Sequence, residues 1–284
     1  MAINLMQAGH DLFFFARRED VVDQFQKLGA VACPSCAQVA EAADVIVTIV
    51  TADAEVEQVV LAKDGIIAGA DTGKLLIDMS TVSPATVRRI GELLSEAGMS
   101  MLDAPVSGGP AGAKKGSLSI MVGGDAPDFQ KAQPLLEILG KKIFHLGPLG
   151  SGQTAKLVNQ MMAGGIMALI GEAMSVAKAA GLNLEQLVEV VSTSSGSSTM
   201  LSARAQFILD NHYEAGFKTE LMRKDVALSL ALAHELKLSA PVTSAALQQY
   251  TSAMQQGYDK LDFSAVAKIV EPKPIEPKKS LPEK

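Results

Sequence analysis

The chain has 284 residues, of which 48% are hydrophobic and only 4% aromatic, and its formal net charge is −6. This length suggests about two domains, with a core of small aliphatic side chains large enough to fold independently. The acidic balance and the lack of a basic block argue against nucleic acid or an anionic membrane as the main partner.

The first half alternates short apolar segments with amphipathic ones, the pattern of a doubly wound α/β domain. In chain order, the predicted strands are 12–15, 45–50, 75–78, 101–102, 119–122 and 143–146, and the predicted helices are 21–28, 54–61, 84–97 and 127–139. The run Gly147-Pro148-Leu149-Gly150 then interrupts the pattern. We therefore expect the first domain to cover residues 1–150.

From Gln153 onward only helical patterns occur, which predicts an all-α domain over 151–270. The predicted helices are 153–180, 184–192, 198–210, 221–236 and 241–256. The first of them contains Gly164, Gly165 and Gly171, and because a mid-helix glycine costs about 0.5–1 kcal/mol relative to alanine, we expect tight packing there against another helix or subunit. The tail 271–284 is rich in Pro, Glu and Lys, which predicts disorder.

Residues 1–10 lack the basic start and long apolar run of a secretory leader. The apolar run 161–171 is shorter than the roughly 20 residues that cross a bilayer, so we expect it in a buried helix. Together these features predict a cytoplasmic protein.

Two patterns that can indicate metal or redox chemistry are weak here. Cys33 and Cys36 form a Cys-Pro-Ser-Cys pair, but no second pair and no nearby His accompany them, which favours a structural role. The four histidines do not form a cluster with carboxylates at metal-ligand spacing. No metal is predicted.

The most informative stretch is 103–124. Within it, Ser107, Gly108 and Gly109 follow a short apolar run, and glycines let successive N–H groups turn towards an anion. A substrate carboxylate fits such a turn. Farther along, Lys156, Asn159 and Gln160 lie three and four residues apart in a helical segment, which places them on one face.

These motifs resemble those of the β-hydroxyacid dehydrogenase family, and the resemblance covers nearly the whole chain. It is carried by Met1-Ala2-Ile3-Asn4-Leu5, Asp78-Met79-Ser80-Thr81, the Asp103 to Gly112 segment, Gly150-Ser151-Gly152 with Lys156 and Asn159, and the segment 217–225. The resemblance implies a Rossmann-like domain followed by an all-α domain. It also implies hydride transfer between a nicotinamide and the carbonyl of a short β-hydroxy acid or its semialdehyde.

The resemblance also assigns roles to residues. Lys156 is the natural acid, because an ammonium both stabilises the charge that develops on the carbonyl oxygen and delivers the proton. The substrate-binding candidates are Ser107, Gly108, Gly109, Asn159 and Gln160, and the cofactor-binding candidates are Arg17, Arg18, Thr81 and Lys224, with Asp225 in an orienting or capping role.

In one respect the sequence departs from the family. A strand and a Gly-x-Gly-x-x-Gly loop precede the Met-Ala-x-Asn-Leu segment in the family, whereas this sequence begins at that segment. The strand lies in the middle of the parallel sheet, and the loop lets the pyrophosphate approach a helix N-terminus. We therefore expect the start to be truncated or misassigned. The alternative is a chain that truly begins there and binds its cofactor weakly.

Cofactor choice can be argued from the residues that follow the first predicted strand. Dinucleotide-binding folds place a carboxylate there to bind the ribose 2′-OH, whereas Arg accommodates a 2′-phosphate. Ala16, Arg17 and Arg18 offer positive charge and no carboxylate, which predicts NADPH with NAD still possible. The alternative is a pair of solvated arginines.

The substrate is less sharply defined. The Lys-x-x-Asn-Gln form of 156–160 and the serine-rich stretch 194–199 resemble the family's tartronate semialdehyde reductases, which reduce 2-hydroxy-3-oxopropionate to glycerate. The alternatives are a 3-hydroxyisobutyrate or other 3-hydroxyacid dehydrogenase, or a cofactor-poor, non-catalytic paralogue. The expected partners are a small carboxylate-bearing substrate and further copies of the chain in a homodimer or homotetramer.

Overall fold

The structure is a computed structural model that describes residues 1–271. Apart from Glu271, the predicted disordered tail lies outside the described residues. The described chain forms two compact units, the first built from Met1–Met161 and Ala227–Ser239 and the second from the remainder.

The first unit alternates strands and helices, as predicted. Its elements are α1 (Ala2–Gln7), β1 (Phe13–Phe14), α2 (Glu19–Lys27), β2 (Val31–Ala32), α3 (Cys36–Ala42), β3 (Val45–Thr48), α4 (Asp53–Leu61), β4 (Leu75–Asp78), α5 (Pro84–Glu96), β5 (Ser100–Asp103), β6 (Val106–Ser107), α6 (Gly109–Lys115), β7 (Leu118–Val122), α7 (Ala126–Leu139) and β8 (Gly140–His145). The predicted strands and helices are confirmed within a few residues at their ends. The elements β2, α3, β6 and α6 were not predicted, because strands of two residues and helices of seven residues show too few repeats of a hydrophobic pattern.

The sheets are mainly parallel. β1 pairs with β2, and β3, β4 and β5 form a second parallel set. β7 pairs with β8 in parallel and with β6 in antiparallel orientation. Two backbone hydrogen bonds between Asp103 and Gly123, of 2.8 and 3.1 Å, connect the end of β5 to the end of β7. This arrangement confirms the Rossmann-like fold class.

Strand β4 forms the centre of the core. All of its residues are buried, and alternate side chains point to opposite faces. Leu75 and Ile77 pack in a cluster with residues of α7, whereas Leu76 packs in a second cluster with residues of α4 and α5. A strand covered by helices on both faces reads as a continuous apolar run, which is why its position was predictable.

A cleft of about 1060 Å³ separates the first pair of strands from the second set. β1 and β3 both line the cleft, and neither pairs with the other. Leu5 of α1 and Leu135 and Leu139 of α7 form part of its lining. The parallel sheet is therefore interrupted between β1 and β3, in the region where we expected it to lack a strand.

The second unit is helical. A long helix, α8 (Ser151–Ala179), begins in the first unit and continues into the second. It is followed by α9 (Leu184–Ser192), α10 (Thr199–Leu209), α11 (Thr219–Glu235), α12 (Pro241–Gln255) and a 3-10 helix at Phe263–Ile269. The part of α11 from Ala227 onward belongs to the first unit. Within the described residues, this unit contains no strand beyond an isolated bridge between Lys218 and Asp262. The predicted all-α organisation is confirmed.

By length and composition alone, α8 is apolar enough to cross a bilayer. Half of its most apolar stretch is buried inside the fold, however, as in the core helix of a globular protein. That burial agrees with the expectation that the run 161–171 belongs to a buried helix.

Two glycines of α8 permit close approach within the second unit. A Cβ atom on Gly171 would lie 2.8 Å from the Cα atom of Ala267, and one on Gly164 would lie 2.5 Å from Cγ2 of Val226. A Cβ atom on Gly165 would have no described atom within 4 Å outside its own helical turn. The expectation of tight packing is thus confirmed for Gly164 and Gly171, whereas packing of Gly165 against another subunit stays a prediction.

These contacts predict opposite effects for two substitutions in one helix. Gly171→Ala forces a methyl group against the Ala267 backbone, and such overpacking costs about 1–3 kcal/mol. Gly165→Ala, the matched control, meets open space and gains helix propensity of up to about 1 kcal/mol. Thermal unfolding followed by circular dichroism should show a lower Tm for the first variant and an equal or higher Tm for the second. Equal Tm values for both variants would contradict the packing argument.

Candidate functional site

Two buried carboxylates lie side by side at the ends of adjacent strands. Asp78 ends β4, Asp103 ends β5, and the two residues are register partners. Neither side chain is exposed. Burial raises the pKa of each carboxyl group, and the hydrogen bonds that each accepts act in the opposite direction. In doubly wound folds, ligands bind outside these carboxyl ends of the strands.

Asp78 organises the ends of β3 and β4. Its Oδ1 atom accepts hydrogen bonds from Thr48 Oγ1 at 2.8 Å and from Ser80 Oγ at 2.7 Å. Ser80 Oγ also accepts a hydrogen bond of 2.9 Å from the backbone N–H of Val50. The two chain segments that leave these strands are therefore held together at the candidate cofactor side of the sheet.

Asp103 holds the beginning of α8. Its Oδ1 atom accepts from the N–H of Gly150 at 2.7 Å, and its Oδ2 atom accepts from the N–H of Gln153 at 2.6 Å. N–H groups of a first helical turn have no partner within the helix, and the helix dipole favours an anion there. The carboxylate therefore satisfies backbone donors that would otherwise be buried without acceptors.

Gln153 joins α8 to the segment after β4. Its buried Oε1 atom accepts from the N–H of Val82 at 3.1 Å, while its Nε2 atom donates to the carbonyl oxygen of Ser80 at 2.8 Å. Thr81, a predicted cofactor residue, lies between these two anchored positions. The Thr81 segment and the first turn of α8 are thus held together.

The predicted acid and its polar neighbours lie on the next turns of the helix. Lys156 and Gln160 are buried, with 7% and 5% of their surfaces exposed. Asn159 is exposed, and its Nδ2 atom donates to Gln160 Oε1 at 3.0 Å. A buried lysine on the same helix as two amide side chains is a suitable candidate for a proton donor, and this role stays a prediction.

The glycine turn has the backbone that its sequence predicts. Ser107 ends β6, and Gly108 and Gly109 have φ values of +131° and +60°, which glycine adopts without strain. A Cβ atom on Gly108 would approach Cδ2 of Leu118 at 3.1 Å, so the turn packs closely on β7. Binding of a substrate carboxylate in this turn stays a prediction.

The predicted adenosine-phosphate residues are exposed. Arg17 Nη2 donates to Gln58 Oε1 at 3.3 Å, and Arg18 lies 3.4 Å from the carboxylate of Asp20. Such exposed contacts are weak, so both guanidinium groups remain available to an anionic ligand. Their role in cofactor binding stays a prediction.

Lys224 and Asp225 belong to α11 in the second unit. Their side chains form an ion pair of 3.0 Å, in which Asp225 is buried and the Lys224 side chain is 22% exposed. The role of Lys224 near the nicotinamide stays a prediction.

The cysteine pair has no feature of a reactive site. Cys33 and Cys36 are free thiols, and Cys36 is the first residue of α3. Burial and the neighbouring Asp64 carboxylate raise the pKa of the Cys36 thiol, which disfavours the reactive thiolate. Among residues 1–271, no three His, Cys, Asp or Glu side chains are placed to hold a metal ion.

Sequence reasoning gave no role to two residues that organise the site. Asp103 was noted only as the start of a motif, and Gln153 only as the first residue of a helical segment. The available signal for Asp103 was a carboxylate at the end of an apolar strand. For Gln153 no sequence signal existed, because its partners at Ser80 and Val82 lie more than 70 positions away.

Comparison with known proteins gives matches over both halves of the chain. Residues 1–147 match a family described as the NAD binding domain of 6-phosphogluconate dehydrogenase. Residues 150–270 match one described as NAD-binding of NADP-dependent 3-hydroxyisobutyrate dehydrogenase.

Individual relatives cover nearly the whole length. The NAD-dependent L-serine dehydrogenase of Pseudomonas aeruginosa is 39% identical over 96% of this chain and 94% of its own. The 2-hydroxy-3-oxopropionate reductase of Escherichia coli is 36% identical over 95% of this chain and 92% of its own. The structure of Mycobacterium tuberculosis 3-hydroxyisobutyrate dehydrogenase with L-serine, 31% identical, superposes with a TM-score of 0.87 over 94% of this chain and 93% of that one.

Proposed function

Because this chain belongs to the β-hydroxyacid dehydrogenase family, we propose that it is an NADPH-dependent reductase that converts 2-hydroxy-3-oxopropionate into glycerate. At the level of the family, it is an NAD(P)-dependent oxidoreductase acting on the CH–OH group of hydroxy acids. The observation that carries the proposed reduction is Lys156, a buried lysine one turn after the point where α8 is fastened to the strand ends. The choice of 2-hydroxy-3-oxopropionate rests on the Lys-x-x-Asn-Gln form of 156–160.

The residues that are present fit a nicotinamide dinucleotide. Ala16 and Arg17 line the same cleft as the strand-end residues Thr48 to Thr51, so the two ends of a long ligand could contact one continuous surface. The part of the cleft lined by Leu5, Leu135 and Leu139 lies where the sheet is interrupted, so the proposed ligand surface is the rim at Ala16, Arg17 and Thr48 to Thr51. Arg17 and Arg18 would hold the adenosine 2′-phosphate, and Thr81 and Lys224 the nicotinamide end.

In the proposed reaction, the cofactor and the side chains of the protein contribute different parts. When bound, the nicotinamide would supply a hydride to the carbonyl carbon of the substrate. As the C=O π electrons move onto oxygen, Lys156 stabilises the developing charge and donates the proton that completes the alcohol. Ser107, Gly108 and Gly109 hold the substrate carboxylate, while Asn159 and Gln160 orient the substrate and Lys156.

A second candidate substrate class is favoured by the relatives. One acts on L-serine by its name, and others are named 3-hydroxyisobutyrate dehydrogenase. These acids differ from glycerate by small groups that change pocket binding by a few kcal/mol at most. Comparing kcat/KM for the oxidation of glycerate, L-serine and 3-hydroxyisobutyrate with the same oxidised cofactor decides between them. Absence of NADPH and NADH binding would instead favour a non-catalytic paralogue.

We also infer a homo-oligomer in the cytoplasm. Two free thiols suit a reducing compartment.

The proposed dimer surface lies on α8. Met162, Leu169 and Val176 are 61%, 63% and 70% exposed and lie seven residues apart, which places them on one stripe. A two-fold axis at Leu169 would pair Met162 of one copy with Val176 of the other, so the stripe is self-complementary. We propose residues 151–270 as the substrate and dimerisation domain and 1–150 as the NADP-binding domain.

Removal of the proton donor tests the proposed mechanism. Lys156→Ala should lower kcat for carbonyl reduction by roughly 100-fold or more, the usual contribution of general acid catalysis, without changing NADPH affinity. Lys178→Ala is the control, since this exposed lysine of the same helix pairs only with Glu271 among the described contacts. Near-normal turnover of Lys156→Ala would remove Lys156 from its role.

Cofactor choice can be reversed at the end of β1. The double variant Ala16→Asp with Arg17→Gln should prefer NADH, because the carboxylate accepts hydrogen bonds from the 2′-OH and repels a 2′-phosphate. Ala16→Asn with Arg17→Gln is the matched control that lacks only the new charge. The measurement is kcat/KM for both cofactors. A parent enzyme that prefers NADH would show that the arginines do not select the phosphate.

The proposed dimer can be tested at the centre of the stripe. Leu169→Lys should shift the molar mass measured by light scattering after gel filtration towards that of a monomer, because two ammonium groups would face each other across the axis. Val190→Lys, at a residue of α9 that is 60% exposed, is the control and should not change the mass. A monomeric parent protein would contradict the inference.

A further inference from the structure

The first turn of α8 packs closely on the sheet backbone beside the Asp103 carboxylate. A Cβ atom on Gly152 would collide with the carbonyl oxygen of Met121 and lie 2.8 Å from that of Asp103. A Cβ atom on Gly123 would lie 2.8 Å from the amide nitrogens of Ser151 and Gly152. Glycine at both positions therefore lets the helix begin directly on the ends of β5 and β7.

We propose that Asp103 is the positioning residue for Lys156. Its carboxylate spans the N–H groups of Gly150 and Gln153, and it thereby sets where the helix starts and how its first turn is oriented. Lys156 follows Gln153 by three residues, roughly 4.5 Å along the helix axis. This inference rests on the proposed role of Lys156 as the acid.

Gln153 links the first turn of α8 to the candidate cofactor side of the sheet. Its side-chain amide holds both the carbonyl oxygen of Ser80 and the N–H of Val82, so the backbone on either side of Thr81 is fixed to the helix that carries Lys156. Asp103 and Gln153 together fix the distance between the proton donor and the segment predicted to contact the nicotinamide. Neither residue needs to contact the substrate for this purpose.

The start of α8 is tied to the sheet, which the stability of the helix alone does not require. The free N–H groups at the start of a helix can be satisfied by the side chain of the residue directly before that helix. Ser83 does this for α5 and Asn183 for α9. Here the acceptor comes from a buried strand about 50 residues away, which ties the helix to the sheet. A displacement of about 1 Å in a reacting group can lower a rate by roughly 100-fold.

Asp103→Asn tests the proposal with little change in size. The amide keeps one acceptor oxygen and turns an N–H group towards the remaining helix donor, so one hydrogen bond is lost. We expect kcat to fall by about 10- to 100-fold with unchanged KM for NADPH. Asp53→Asn is the matched control, because Asp53 Oδ1 accepts from Ser83 N at 2.9 Å and Thr86 Oγ1 at 2.6 Å at the start of α5. An equal fall in kcat for Asp53→Asn would reduce Asp103 to a general structural role.

The Lys156→Ala background gives the sharper readout. If Asp103 acts through Lys156, Asp103→Asn should cause no further loss of rate once the lysine is gone. A full additional loss in that background would overturn the proposal. Normal turnover of Lys156→Ala alone would instead overturn the proposed function, so the two failures are distinguishable.

Gln153→Leu provides an independent variant if Asp103→Asn does not fold. It removes the side-chain link to Ser80 and Val82 and keeps the backbone N–H that Asp103 accepts. We expect a lower kcat that again depends on the presence of Lys156, in protein with a native circular dichroism spectrum. An unchanged kcat would overturn the coupling between the two segments.

Discussion

The site depends on a buried carboxylate at the beginning of a long helix. Asp103 is fully buried, and an ion in such a place is tolerated only where donors surround it. The N–H groups of α8 supply those donors, and the helix in turn has its first turn satisfied. Strand and helix thus satisfy buried polar groups of each other.

Helix α8 therefore contributes both to the fold and to the candidate site. The helix has 29 residues and is roughly 43 Å long, so its two ends belong to different environments. Its first turns lie on the sheet and carry Lys156, and its later turns pack through Gly164 and Gly171 in the helical unit. One helix thus carries the candidate proton donor and contributes to a second core.

Sequence reasoning reached the fold more readily than the site. The buried strand β4 and the helices with clear periodicity were predictable because burial on one or both faces leaves a regular apolar pattern. The short elements α3 and α6 were missed, since seven residues show at most two turns and the glycines of α6 suggest a loop. Lys156 was predictable from its motif, but its burial and the link from Gln153 to Ser80 depend on tertiary contacts that no local pattern encodes.

The two neighbouring carboxyl groups, Asp78 and Asp103, also make the stability of the fold depend on pH. Burial raises the pKa of Asp78 and Asp103 above the ordinary value of 3.8, and Asp78 Oδ2 has no hydrogen-bond partner among the described residues. A carboxyl group with a raised folded-state pKa favours the fold at low pH, and this contribution is lost as the pH rises through that pKa. Ionisation of either group therefore lowers the free energy of unfolding. The strand ends that fasten α8 to the sheet are thus also a place where stability depends on pH.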